Sequence, residues 1–372
     1  MTSKIPIGIF PYRAELLPLV RNFEQLQEKY ELKKIWTFRG ASLANKDVAY
    51  ACNHPQLALM AEVMNDTEDI EIEKLIVSIP PTMNKQNKEQ TLKLVDRFNE
   101  KGKRTDIFFD DWGSNKTSLY RLARKHPSLL NLYPEETILD LHQSAAEMRY
   151  RKIETPIIFV GGLIENPDTT EIVCNIKSRF ERDGVNCLVY CKHSIMALFG
   201  FHSIMPLLTA NSIPVEQRIE FINFLANSHV EKKRPDLIIV EAPDGVLRFN
   251  DNTPNGFGIN SYILAQAFQP DFFICNIPFE FAKFDLISLL SKDFELRFNT
   301  RLVAIHSSNI VLDSAENIQT HTLSYVHVPV SHVDEDLSKL SNWDVPVFNI
   351  IVDKNSLYSY LRNLLSVRSN GN

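Results

Sequence analysis

Apolar positions follow two alternating rhythms along this chain. Short continuous apolar runs end at turn residues, and longer stretches carry an apolar residue every three or four positions. Ile5–Phe10 is such a run and stops at Pro11. Ala14–Lys29 has the helical period through Leu16, Leu17, Val20, Phe23 and Leu26. Leu32–Phe38 predicts a second strand and Arg39–Asp47 an irregular loop. The pattern next predicts a helix at Pro55–Met64, a strand at Lys74–Ile79, a helix at Lys88–Lys101 and a strand at Thr105–Phe109. This βαβα order implies a parallel sheet with helices on both faces.

Between Trp112 and Glu154 the alternation lapses into short polar helical pieces, Ser118–Lys125 and Thr137–Met148. It resumes with strands expected at Pro156–Val160, Asn186–Tyr190, Asp236–Glu241, Phe272–Cys275, Leu302–Ile305, Ser324–Val330 and Val345–Val352. Helices are expected at Pro214–Asn227, Ser261–Phe268, Lys283–Lys292 and Asn355–Ser366. The fold class read from this pattern is α/β with two Rossmann-like domains, residues 1–152 and 153–372. The second resembles a P-loop NTPase that lacks a working Walker A loop.

That reading rests on PIIFVGGLIENPDTTEIVCNIKSRF, Pro156 to Phe180. A buried strand, a glycine turn (Gly161, Gly162) and a helix opening near Asn166–Pro167 make the layout of a phosphate-binding loop. Against G-x-x-x-x-G-K-[ST], the first glycine (Gly162) and the threonine (Thr169) are present. Pro167 replaces the second glycine and Asp168 the lysine. Aspartate repels the outer phosphates that lysine neutralises, and proline removes one N–H from the cradle. Asn166 as N-cap, Pro167 at the first helical position and Asp168 beside the positive helix end cap the helix without any ligand.

Composition narrows the function. The chain has 372 residues, 44% hydrophobic and 23% charged, as in a soluble globular protein. A net charge of −6 with no Lys/Arg-rich run argues against nucleic acid as partner. No apolar run reaches membrane-span length, and MTSKIPIGIF lacks a signal-peptide core, so no membrane partner and a cytoplasmic location are expected. The five cysteines give no disulfide, zinc or iron–sulfur pattern. No metal site is read, and no cofactor is identified.

In open parallel sheets ligands lie beyond the carboxyl ends of the strands. That rule selects Pro11–Arg13, Arg39–Asp47, Pro80–Pro81 and Asp110–Asp111 in the first half. In the second it selects Gly161–Thr170, His193, His202–Ser203, Glu241–Gly245 and the loop around Asn255–Gly258. The binding candidates are Gly161, Gly162, Asp168, Thr169, Thr170, Ser203, Asn255, Gly256, Arg21 and Lys46. Glu241 and Asp244 sit where a P-loop protein keeps its metal-holding acid, though an Asp-Gly turn explains Asp244 as well. His202, in Gly-Phe-His-Ser, is a potential proton carrier or a polar anchor satisfied by backbone groups, the simpler reading. These three are the catalytic candidates. A buried polar pair, Arg21–Asn22, is expected to order the loop beyond the first strand. Lys46–Asp47 contacts an anion or pairs with itself.

FPY (Phe10–Tyr12) with LPLVRN (Leu17–Asn22), Lys46–Asp47, TPIIFVGGL (Thr155–Leu163), LFGFHS (Leu198–Ser203), PDLIIVEAPDG (Pro235–Gly245) and NGFG (Asn255–Gly258) form a recognisable set. With them the chain resembles the peptide-maturation system proteins found beside radical-SAM enzymes in clostridial-type bacteriocin clusters. The resemblance runs from Ile7 to about Pro278. It departs at Ala44-Asn45-Lys46-Asp47, where the family pattern has a Gly-rich Gly-Lys-Asp run. It implies a cytoplasmic protein in the maturation of a ribosomally made, post-translationally modified peptide, and it implies no reaction. Its partners would be the precursor peptide and a radical-SAM or other peptide-modifying enzyme. The function expected is an accessory protein that binds either of them. The alternatives are a peptide-modifying enzyme, or a nucleotide-dependent enzyme with a degenerate phosphate loop.

Overall fold

The structure, a computed structural model, describes residues 3–64, 71–110, 116–133, 149–166, 168–209, 213–248, 255–282, 284–320, 323–337 and 345–369. The chain divides into two compact units: Met1–Ala146 with Cys191–Ile213, and Glu147–Tyr190 with Pro214–Asn372. The expected division into 1–152 and 153–372 misses that residues 191–213 belong to the first unit. Asp110 is one reason, because its carboxyl accepts the Ser194 N–H at 2.7 Å.

The first unit holds strands Ile5–Phe10 (β1), Tyr30–Thr37 (β2), Lys46–Asp47 (β3), Met60–Val63 (β4), Lys74–Ile79 (β5), Arg104–Phe109 (β6) and Leu130–Tyr133 (β7). They form one sheet in the order β3-β4-β2-β1-β5-β6-β7, parallel except for β3 against β4. Among the described residues up to Tyr133, its helices are Leu17–Arg21 (α1), Lys85–Glu100 (α2) and Lys116–Lys125 (α3). The central strands are buried almost continuously, as expected for a parallel sheet covered on both faces. Trp36, Phe10, Val77 and Phe109 pack with Val95 and Phe98 of α2 and Leu119 of α3.

Two expected helices are absent from this unit. Ala14–Lys29 is a short α1 between two 3-10 turns, Ala14–Leu16 and Phe23–Leu26. Asn22 caps its end, with its backbone N–H and its side-chain amide both on the Pro18 carbonyl, at 3.1 and 2.9 Å. Pro55–Met64 is an irregular segment followed by β4, because Asp47 draws in the Leu57 and Leu59 N–H groups. The helix expected at Thr137–Met148 lies outside the described residues.

In the second unit, Ile157–Gly162 (β8), Asp168–Arg182 (α4) and Cys187–Cys191 (β9) follow one another. The chain then supplies the first unit with a 3-10 helix at Ser194–Phe199, His202–Ser203 (β10) and Met205–Leu208 (α5). The second unit resumes with Val215–Lys233 (α6), Leu237–Gly245 (β11), Ile259–Phe268 (α7), Phe272–Pro278 (β12), Phe284–Phe298 (α8) and Arg301–Ser308 (β13). The remaining elements are Ile310–Leu312 (β14), Ser314–Thr320 (α9), Tyr325–His327 (β15), Val330–Leu337 (α10), Val347–Phe348 (β16) and Ser356–Ser369 (α11). Within this unit the parallel order is β9-β11-β8-β12-β13-β16. Helix α7 packs between α6 and α8, and α11 packs on α4. Right-handed crossovers place helices on opposite faces when the chain steps in opposite directions along the sheet. The strand expected at Ser324–Val330 is β15, which pairs antiparallel with β14 outside the main sheet. The architecture is a two-domain, Rossmann-like α/β fold.

The core of this unit is aromatic. Phe273 lies against Phe159, Phe294 and Phe298, at ring separations of 5.3, 4.4 and 5.6 Å. These rings back β8 and β12, the strands whose ends carry the loop described next.

Candidate functional site

Strand β8 ends in Gly161–Gly162. A Cβ on Gly161 would meet Val246 Cγ1 at 2.6 Å and Phe273 Cζ at 2.9 Å. A Cβ on Gly162 would meet the Ile164 carbonyl at 2.4 Å. The first glycine therefore lets neighbouring side chains close over the strand, and the second lets the chain fold back on itself.

A phosphate loop works by turning backbone N–H groups outward to an anion. Here the Leu163 N–H donates to the Asn276 carbonyl at 2.7 Å, and the Asp168 N–H donates to Asn166 Oδ1 at 2.9 Å. Asn166 is thus the N-cap the sequence predicts, while Pro167 lies outside the described residues. Asp168, at the lysine position, is buried.

Glu241 ends the apolar run of β11, opposite Val160 of β8, and is fully buried. Its Oε1 accepts hydrogen bonds from Thr169 Oγ1 at 2.9 Å and Thr170 Oγ1 at 2.6 Å. In P-loop NTPases a loop hydroxyl and a strand-end acid hold Mg²⁺. In this chain the corresponding threonine and acid bind each other directly.

A second polar line runs across the neighbouring strands. Asn276 of β12 donates through Nδ2 to Asn166 Oδ1 at 2.7 Å. The Asn276 Oδ1 lies 2.9 Å from His306 Nδ1 on β13. Since an amide oxygen only accepts, His306 carries its proton on Nδ1. Burial pushes the His306 imidazole down to about 3, so the ring is neutral and Nε2 is a bare lone pair. That atom is buried without a hydrogen-bond partner, as is Ser307 Oγ beside it in sequence. The sequence reading overlooked Asn276 and His306. Their signal was a polar residue directly after an apolar run, Asn276 after FFIC and His306 after LVAI.

Gly161, Gly162, Asp168, Thr169, Thr170 and Glu241 therefore come together at the end of β8. Asp244 is directed elsewhere. Its Oδ1 accepts from Ser261 Oγ at 2.6 Å and Ser261 N–H at 3.2 Å, at the start of α7, and burial raises its pKa. Asn255 and Gly256 open the 3-10 turn Asn255–Gly258 that leads into the same helix.

In the first unit, Arg21 Nη2 lies 2.6 Å from His54 Nδ1, and the Asn22 amide donates to the Pro18 carbonyl. The Lys46–Asp47 ion pair does not form. Asp47 accepts the N–H groups of Ala49, Leu57 and Leu59, and Lys46 Nζ lies 4.1 Å over the Tyr50 ring. His202 and Ser203 are half-buried on β10, just beyond the left-handed turn at Gly200 (φ +78°). All five cysteines are free. Among the described residues no three His, Cys, Asp or Glu side chains converge as metal ligands, and no helix is long and apolar enough to cross a membrane.

No family model matches the chain, and no curated protein matches it. Among solved structures, the crystal structure of a DUF1611 family protein from Anabaena variabilis ATCC 29413 is similar. The TM-score is 0.56 at 11% identity, covering 97% of this chain and 100% of that one. At that identity the likeness concerns the fold alone.

Proposed function

We propose that this protein is a non-hydrolytic accessory factor in the maturation of a ribosomally made peptide, binding the precursor or its modifying enzyme in the cytoplasm. One observation carries the non-hydrolytic half: the β8 loop binds itself. Two of its N–H groups point inward, and an aspartate stands at the lysine position. The peptide-maturation half draws on the sequence motifs from FPY to NGFG. A peptide-modifying enzyme is the second reading, favoured by the lone pair on His306 Nε2.

Mass spectrometry of the precursor separates the two. Co-expressed with its modifying enzyme, the precursor should be converted more completely when this protein is present. The purified protein alone should leave the precursor's mass unchanged while retaining precursor or enzyme on a column. A mass change produced by the protein alone would move the assignment to the enzyme.

A further inference from the structure

The first unit has its own topological switch. From β1 the chain steps outward to β2 and β4, then returns to lay β5 on the other side of β1. Ligands of open α/β sheets lie beyond the strand ends at such a point. Arg13 follows β1, Ser78 is on β5 and Asp110 follows β6. His193 and Ser194 open the 3-10 helix that the chain later supplies to this unit.

These side chains form a cluster. Arg13 Nη2 donates to Ser78 Oγ at 3.3 Å, and Nη1 lies 3.8 Å from Glu15 Oε2. The buried Asp110 accepts the Ser194 N–H through Oδ1 and faces His193 Nδ1 through Oδ2 at 3.6 Å. Arg13 Nε and His193 Nε2 are buried and make no hydrogen bond. Arg13 and His193 nevertheless keep 23% and 15% of their side chains exposed, so the cluster reaches solvent at its edge. Burial weakens the hold of Arg13 on its proton, and the charges of Glu15 and Asp110 oppose that effect.

A guanidinium N–H can only donate, and a buried donor without an acceptor is rare. The Asp110 carboxylate 3.6 Å from His193 Nδ1 favours a proton on that nitrogen by its charge, and in that neutral tautomer Nε2 is an acceptor. We propose that Arg13 and His193 form a ligand site for a carboxylate flanked by an N–H or O–H donor. Arg13 Nε–H donates to the carboxylate, and His193 Nε2 accepts from the neighbouring donor. Asp110 positions the ring. Both groups occur together at the C-terminus of a peptide and in a free 2-hydroxy acid. The inference does not depend on how the β8 loop is read.

Isothermal titration with N-acetylglycine, glycolate and acetate tests it. N-acetylglycine should bind more tightly than acetate. Arg13→Gln should weaken both by about tenfold or more, the loss of one charge-assisted hydrogen bond. His193→Leu should bring N-acetylglycine down to the affinity of acetate and leave acetate unchanged. A short peptide that binds with a free but not an amidated C-terminus identifies the peptide terminus as the source. Glycolate binding without peptide binding identifies a small acid. Should Arg13→Gln fail to fold, the wild-type His193 Nε2 resonance serves, moving on addition of N-acetylglycine but not of acetate. No binding of N-acetylglycine, an unaltered affinity in folded Arg13→Gln, or an unmoved His193 resonance would overturn the proposal.

Discussion

Replacing Glu241 with alanine should lower the unfolding free energy of the second unit by about 3 kcal/mol or more. The carboxyl is fully buried, so its removal takes the Glu241 acceptor from Thr170, leaves Thr169 with the Asn166 carbonyl at 3.1 Å, and opens a hole beside β8. Glu241→Gln keeps an acceptor oxygen in place and should cost about 1 kcal/mol. Chemical denaturation of the two variants provides the comparison. The sign is informative. A residue held against stability for the sake of a ligand commonly yields a more stable protein when removed. Glu241→Ala as stable as wild type would therefore mark a binding group awaiting its partner, in place of the structural anchor described above.

The second large effect is on acid stability. Burial holds the folded His306 at about 3, below the unfolded value of about 6.5. As pH falls through 6.5 the unfolded chain gains a proton that the folded chain refuses. The contribution of His306 is therefore complete above pH ~6.5 and is lost progressively toward pH ~3. By pH 5 it should have fallen by about 2 kcal/mol. His229 and His327, each lowered to about 4 by burial, act in the same direction. With folded values nearer to pH 5, they begin to take up protons earlier, so their contribution stops falling sooner than that of His306. Urea titrations at several pH values between 7 and 5 should show a slope that loses about one proton in His306→Asn. An unchanged slope would contradict a neutral His306 buried in the Asn276 line.

Strands such as β5, β8, β11 and β12 were legible because burial on both faces makes them continuous apolar runs. The misread helices show what periodicity leaves out. Leu16, Leu17, Val20, Phe23 and Leu26 are spaced for one helix, but the chain leaves the helical path at Asn22 and continues as a 3-10 turn. The Pro55–Met64 segment is shaped by Asp47, ten and twelve residues before the N–H groups that it binds. At the site, Thr169 and Glu241 could be read because a motif frame and a strand end place them. Asn276 and His306 could not. They meet because β12 and β13 pair with these two residues in register, which is a property of the sheet. The transfer of residues 191–213 to the first unit escaped for a similar reason, since Asp110 and Ser194 lie 84 positions apart.

Calorimetry with MgATP and MgGTP, followed by an assay for released phosphate, bears most directly on the non-hydrolytic reading of the β8 loop. No binding heat and no hydrolysis above background are expected. Asp168→Ala should lose only about 0.5–1 kcal/mol of stability at the helix end. Nucleotide hydrolysis by the wild-type protein that disappears in Asp168→Ala would contradict that reading.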